Sequence, residues 1–178
     1  MSEKRKEVKM SKTVEVNVSA EELWNIVGPG FADAGKWSTA VDHSEGHGDA
    51  QFDGATCDTR SCDLSAKGFS SVNERITEYD VQNKTMAFDV FEGMPGFVTY
   101  TNNRTVITEL GPEKSKAELQ ITMHMKPLMG ALMGGMTKRN LSSLIDSALD
   151  DLKVYAETGH PSARKQARMK KIGKKMAA

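Results

Sequence analysis

Between Pro127 and Glu157, apolar residues recur at spacings of three and four: Leu128, Leu132, Met133, Met136, Leu141, Leu144, Ile145, Ala148, Leu149, Leu152 and Tyr155. Arg139, Ser143, Asp146, Asp150, Lys153 and Glu157 fall on the other side. That period predicts one long amphipathic helix. Pro127 suits its first turn, where a missing N–H costs no hydrogen bond, and Gly159 with Pro161 closes it. Fully helical, the segment reaches roughly 45 Å at 1.5 Å per residue. Gly130, Gly134 and Gly135 predict a softer first half, since each interior glycine costs about 1 kcal/mol relative to alanine. A stripe this long needs a broad apolar partner, and a sheet in the preceding sequence is what can supply it.

The rest of the chain has the short period of strands. Residues 1–11 are charged and aperiodic and predict a frayed lead-in, whereas Thr13–Val18 alternates as a strand. Ser19 and Glu22 have the spacing of a capping box, opening a short helix through Leu23, Trp24, Ile26 and Val27 that Gly28-Pro29-Gly30 ends. Phe31–Lys36 predicts one more helical turn, and Trp37–Val41 a short extended piece before a loop. From Ala55 onward we read strands at Ala55–Leu64, Phe69–Tyr79, Thr85–Phe91, Phe97–Leu110 and Lys116–Lys126, with turns between them at Ser65–Gly68, Asp80–Lys84, Glu92–Gly96 and Gly111–Ser115. The order predicts an α+β domain in which a curved antiparallel sheet of about seven strands wraps the terminal helix.

Composition narrows this little. With 178 residues, 38% hydrophobic and 27% charged, the chain is an ordinary one-domain length with enough apolar residues for a core. The first ten residues lack the apolar centre of an export signal and no run reaches the ~18 residues of a membrane span. Cys57 and Cys62 sit five apart in one predicted strand, on opposite faces, so they do not pair with each other; free thiols and no export signal predict the cytoplasm. Charge changes the picture more. Residues 162–178 hold seven basic residues and no acid, which leaves 17 basic residues against 24 acidic ones elsewhere. The tail is therefore read as a solubility tail or as a contact with an anionic membrane. Nucleic acid is disfavoured, because no aromatic residue interleaves with those charges.

Several stretches resemble one superfamily: Val16-Asn-Val-Ser-Ala-Glu-Glu-Leu-Trp24, Trp37, the Gly54-x₅-Arg60 spacing, Glu74-Arg-Ile-x-x-Tyr-Asp80 and the closing helix. They are similar to the SRPBCC proteins, the START and birch-allergen-like helix-grip family, and within it to the polyketide cyclase/dehydrase-type branch. The resemblance covers roughly residues 12–158, giving a domain there, a lead-in at 1–11 and a basic tail at 159–178. It implies a deep apolar cavity between sheet and helix. Fold alone leaves function open, since the superfamily includes carriers, cyclases, hydroxylase domains and chaperone activators.

Candidate chemistry lies on the faces that would line such a cavity. Residue 60 falls opposite residue 74 in the predicted hairpin, so Arg60 and Glu74 form a cross-strand pair on the Val72–Ile76 face. That pair is either a structural ion pair or a polar anchor for a ligand carbonyl or carboxylate. Tyr100 and Arg104 share a strand face with Val98, Val106 and Leu110 and are placed inward, although a one-residue bulge would reverse that face. Phe88 and Met123 on neighbouring strands, with Met133 and Met136 on the soft half of the helix, complete a candidate ligand-binding set; methionine fills irregular space and can re-pack. His43 and His47 share a loop with acidic residues but lack metal-site context, and His124 points outward. No nucleotide, dinucleotide or CxxC motif is present, so no metal or cofactor is expected, and no serine or cysteine has a sequence-evident base. The reading favoured is a carrier or sensor of a small hydrophobic molecule (lipid, isoprenoid or polyketide-like). Rivals are a cyclase/dehydrase-like enzyme using polar cavity residues and a chaperone-activator-like interaction module.

Overall fold

A computed structural model describes residues 6–65 and 70–176, without the side chains of residues 129, 130, 133, 134, 175 and 176. The turn read at Ser65–Gly68 therefore lies largely outside the described residues. Seven strands form one antiparallel sheet in the order β1-β7-β6-β5-β4-β3-β2. They are β1 (Lys6–Val16), β2 (Val41–His47), β3 (Thr59–Leu64), β4 (Ser71–Asp80), β5 (Thr85–Glu92), β6 (Val98–Gly111) and β7 (Lys114–Met125). Between β1 and β2 come α1 (Ala20–Val27), a single 3₁₀ turn (Phe31–Asp33) and α2 (Ala34–Trp37). The long helix α3 (Pro127–Thr158) lies against the sheet, and α4 (Ala163–Met176) follows it.

Local chemistry explains the boundaries. The Ser19 hydroxyl accepts from the Glu22 N–H while the Glu22 carboxylate accepts from the Ser19 N–H, so two orphan donors of α1 are satisfied. α3 starts at Pro127 and ends where Gly159 adopts φ 71°, a left-handed conformation that glycine takes without strain. Its second half supplies Leu141, Ile145, Leu149 and Leu152 to a core shared with Val16, Leu23, Trp24, Ile121 and Met125. Trp24 stacks obliquely on Tyr79, with ring centroids 5.2 Å apart. At the β1 edge α3 is tied by Lys12 to Asp146 and Ser142, by Lys153 to the Glu15 carbonyl, and by Asn17 to Glu157.

Five expectations need correction. β1 begins at Lys6 rather than Thr13, because pairing with the whole of β7, from Lys6 opposite Met125 to Val16 opposite Ser115, draws the charged lead-in into the sheet. The segment read as a loop after Val41 is the edge strand β2, whose polar alternation faces solvent on one side. In contrast, the residues at 55–58 read as strand are irregular and β3 starts at Thr59. The apolar stripe of α3 does not meet the sheet throughout: Leu128 and Leu132 are 74% and 78% exposed. The basic tail is not wholly free of the body. Lys165 is fully buried and donates to the Val41 carbonyl, Arg168 pairs with Asp42, and Ser162 and Arg164 both donate to the buried Asp151. Burial lowers the Lys165 pKa against the opposing pull of Asp42 and Asp151. Lys170, Lys171 and Lys174 remain exposed.

Two measurements follow. Ile145→Ala, Leu149→Ala and Leu152→Ala should each cost about 2–5 kcal/mol in denaturant melts, whereas Leu132→Ala should stay within about 0.5 kcal/mol; equal effects would contradict the divided helix. A chain ending at Gly159 should lose about 1–3 kcal/mol, because Asp151 then lacks two of its donors. An unchanged denaturation midpoint would mean that α4 is a mere tether.

Candidate functional site

A cavity of about 260 Å³ lies between the concave sheet face and the helices. Its helical walls come from Ile26, Val27, Phe31, Ala34 and Trp37 on one side and Leu141, Leu144, Ile145 and Ala148 of α3 on the other. Alternate residues of successive strands line the sheet side: Arg60 and Leu64, Val72 and Glu74, Met86, Phe88 and Val90, Thr101, Asn103 and Thr105, then Leu119, Ile121 and Met123. Strand periodicity explains this, since every second side chain of each strand faces inward.

Arg60 and Glu74 are direct cross-strand partners and each is only 7% exposed. Arg60 Nε donates to Glu74 Oε2 at 2.7 Å, and Nη2 pairs with the same oxygen. The Nη1 group donates to the Phe31 carbonyl at 2.5 Å. The guanidinium also lies 4.0 Å from the centroid of the Phe31 ring and 5.1 Å from that of Phe88. An Arg out of water is tolerable when its charge and its donors are met in this way. Cys62 Sγ reaches the same Glu74 oxygen at 3.6 Å. Burial pushes the Cys62 thiol up to about 12, and Glu74 adds to that shift while Arg60 opposes it. It is therefore a packed thiol and not an activated nucleophile. Among the described residues, Glu74 Oε1 makes no hydrogen bond.

The structure divides the sequence-derived set. Arg60, Glu74, Phe88 and Met123 line the cavity. Tyr100 and Arg104 do not. Tyr100 is 37% exposed with its ring 5.1 Å from that of His124, and Arg104 makes a two-point contact with Glu78 at 2.8 and 3.1 Å. The cause is a bulge: Val98 pairs with Met125 but Tyr100 with His124, so β6 carries an extra residue and its alternation reverses. Met136 is 58% exposed and outside the lining, and the Met133 side chain lies outside the described residues. His43 and His47 belong to β2, and no metal-holding group of three side chains occurs among the described residues.

Sequence reasoning missed the polar residues that the reversal brings inward. Thr101, Asn103 and Thr105 line the cavity, and so does Ser38. Thr101 Oγ1 and Trp37 Nε1 are both buried without a hydrogen-bond partner among the described residues. The signal available was the open parity of the 97–110 segment, which favoured apolar Val106 and Leu110 over three neutral polar side chains.

Comparisons agree with this geometry. The family model described as polyketide cyclase / dehydrase and lipid transport matches residues 7–157. Norcoclaurine synthase from Thalictrum flavum, solved with dopamine and hydroxybenzaldehyde, superposes with a TM-score of 0.65 at 18% identity, covering 86% of this chain and 89% of that one. A START superfamily protein from Mycobacterium smegmatis gives 0.58 at 21% identity, over 81% of this chain and 98% of that one. The Zhui aromatase/cyclase from Streptomyces gives 0.64 at 11% identity, over 88% of this chain and 100% of that one. At such identities the likeness is one of fold, the helix-grip arrangement. No curated protein matches the sequence.

The buried pair gives a test of its own. Glu74→Leu alone should destabilise by about 3–5 kcal/mol, because it strands the guanidinium, and Arg60→Met with Glu74→Leu should cost less than the single change. Small, equal losses from both variants would place the pair in water.

Proposed function

The chain belongs to the polyketide cyclase / dehydrase and lipid transport family, and from that membership we propose that it binds a small, largely apolar molecule in the cavity as a carrier or sensor. One observation carries the reading. Among the described lining residues the only ionisable groups are Arg60 and Glu74, and their charges are spent on each other. The remaining wall is mostly aliphatic, aromatic and methionine side chains, including Met86, Met94 and Met123. Such a wall favours apolar surface by the hydrophobic effect, and a few polar groups set orientation. The volume, about 260 Å³, is just under the ~300–1,000 Å³ usual for drug-sized ligands, so a compact molecule suits it better than a long lipid.

The cyclase/dehydrase reading draws on one feature, the Glu74 carboxylate among the lining residues. Proton abstraction there would need an acid to return the proton. Arg60 is a poor candidate, being permanently charged and already donating to Glu74 and Phe31. Binding is therefore the better supported function.

Filling the space is the direct test. Ala148→Phe puts a ring into the cavity from α3, and should weaken binding of a naphthalene-type fluorescent probe at least tenfold (about 1.4 kcal/mol). Its stability should fall by no more than about 1–3 kcal/mol, the usual cost of overpacking. Unchanged probe affinity in a folded Ala148→Phe variant would locate binding elsewhere and end the proposal.

A further inference from the structure

A row of neutral polar groups crosses an otherwise apolar wall. Thr101, Asn103 and Thr105 occupy alternate positions of β6, with Met86 and Phe88 of β5 on one side and Leu119, Ile121 and Met123 of β7 on the other. Thr101 is 5% exposed and its hydroxyl has no hydrogen-bond partner among the described residues. Asn103 and Thr105 make no side-chain hydrogen bond among the described residues. A buried hydroxyl left unpaired is unfavourable, and proteins rarely keep one without a reason. Valine has the shape of threonine and would fill the same space without that penalty. The position therefore carries a polar group that no described residue pairs with.

Two further facts point to what would use it. Residues on one face of a strand repeat about every 7 Å, so the row runs along the wall instead of capping one end. It also stands two strands, roughly 10 Å, from Glu74, another polar group of the cavity. A plain acyl chain, polar at one end, would leave either Glu74 or the row unmatched. Hydroxyl and amide groups both donate and accept, so they pair equally well with hydroxyl or carbonyl oxygens.

We infer that Thr101, Asn103 and Thr105 form a hydrogen-bonding strip that reads oxygen substituents along one edge of a flat, otherwise apolar ligand. The ligand is thus an oxygenated ring system and not a simple acyl chain. This rests on the cavity being the binding site proposed above, and the test separates the two ideas.

Calorimetry with 2,6-dihydroxynaphthalene and 2,6-dimethylnaphthalene, on the wild-type full chain and on Thr101→Val and Thr101→Val/Thr105→Val, supplies it. The wild type should bind the diol at least tenfold more tightly than the dimethyl compound, and the double variant should lose that preference while still binding the hydrocarbon. Without any probe, Thr101→Val should raise the Tm, because it removes an orphaned hydroxyl. Equal wild-type affinity for the two probes, or a diol preference that survives the double substitution, overturns the strip and leaves the cavity proposal standing. A Tm that stays or falls with Thr101→Val also overturns it, since the hydroxyl then has a partner within the protein. If neither probe binds the wild type, the cavity proposal fails and the strip with it.

Discussion

Ile145, Leu149 and Leu152 leave water only if a surface wraps them, and an antiparallel sheet can wrap a helix only by curling. The seven strands do so with β1 held against α3 through Lys12, Asn17 and the Glu15 carbonyl. Curling fixes one edge tightly and leaves the far strands too distant for α3 to fill the gap alone. α1, the 3₁₀ turn and α2 close that side, and what they fail to fill is the cavity between β3–β7 and the second half of α3. Cavity and core are thus two outcomes of the same packing. Where the helix meets β1 and β7 it makes core, and where it bridges toward β3 it makes a wall.

Among the described residues four charged side chains have been taken out of water, Arg60 and Glu74 as a pair and Asp151 and Lys165 separately. Arg60 is matched by Glu74, by the Phe31 carbonyl and by two aromatic faces. Asp151, on α3, accepts from the Thr39 N–H, from Ser162 and from Arg164. Lys165, on α4, donates to a strand carbonyl. Together the last two join α3, the α2–β2 connection and α4 around one end of the fold. A tail that looks in sequence like surplus positive charge pairs Arg164, Lys165 and Arg168 with the body and presents Lys170, Lys171 and Lys174 to solvent.

Much of the fold was legible because its signals are local. The period of residues 127–157, the Ser19–Glu22 box and the Gly159 stop each name their element without tertiary information, and each is present. The opposition of Arg60 and Glu74 was readable from hairpin counting because no bulge intervenes between β3 and β4 there. The extent of β1 was not, since the charged residues from Lys6 to Lys12 enter the sheet only through the ladder that β7 offers them. Neither was the exposure of Leu128 and Leu132. Periodicity reports that a helix has an apolar face but not how far along the helix a partner continues.

The bulge at residues 98–100 shows how small a feature can decide the chemistry. With unbroken alternation the wall would carry Tyr100 and Arg104, a phenol and a second guanidinium beside Arg60. Among the described lining residues there is a single carboxylate, already committed, so that extra cation would be uncompensated in a mostly apolar space. The inserted residue turns Arg104 outward to Glu78 and Tyr100 onto His124, and presents two hydroxyls and an amide instead. The wall thereby carries neutral polar groups where unbroken alternation would have put a second cation. No side chain has to be replaced for that change: one unpaired backbone step on β6 sets which face of the strand the cavity receives.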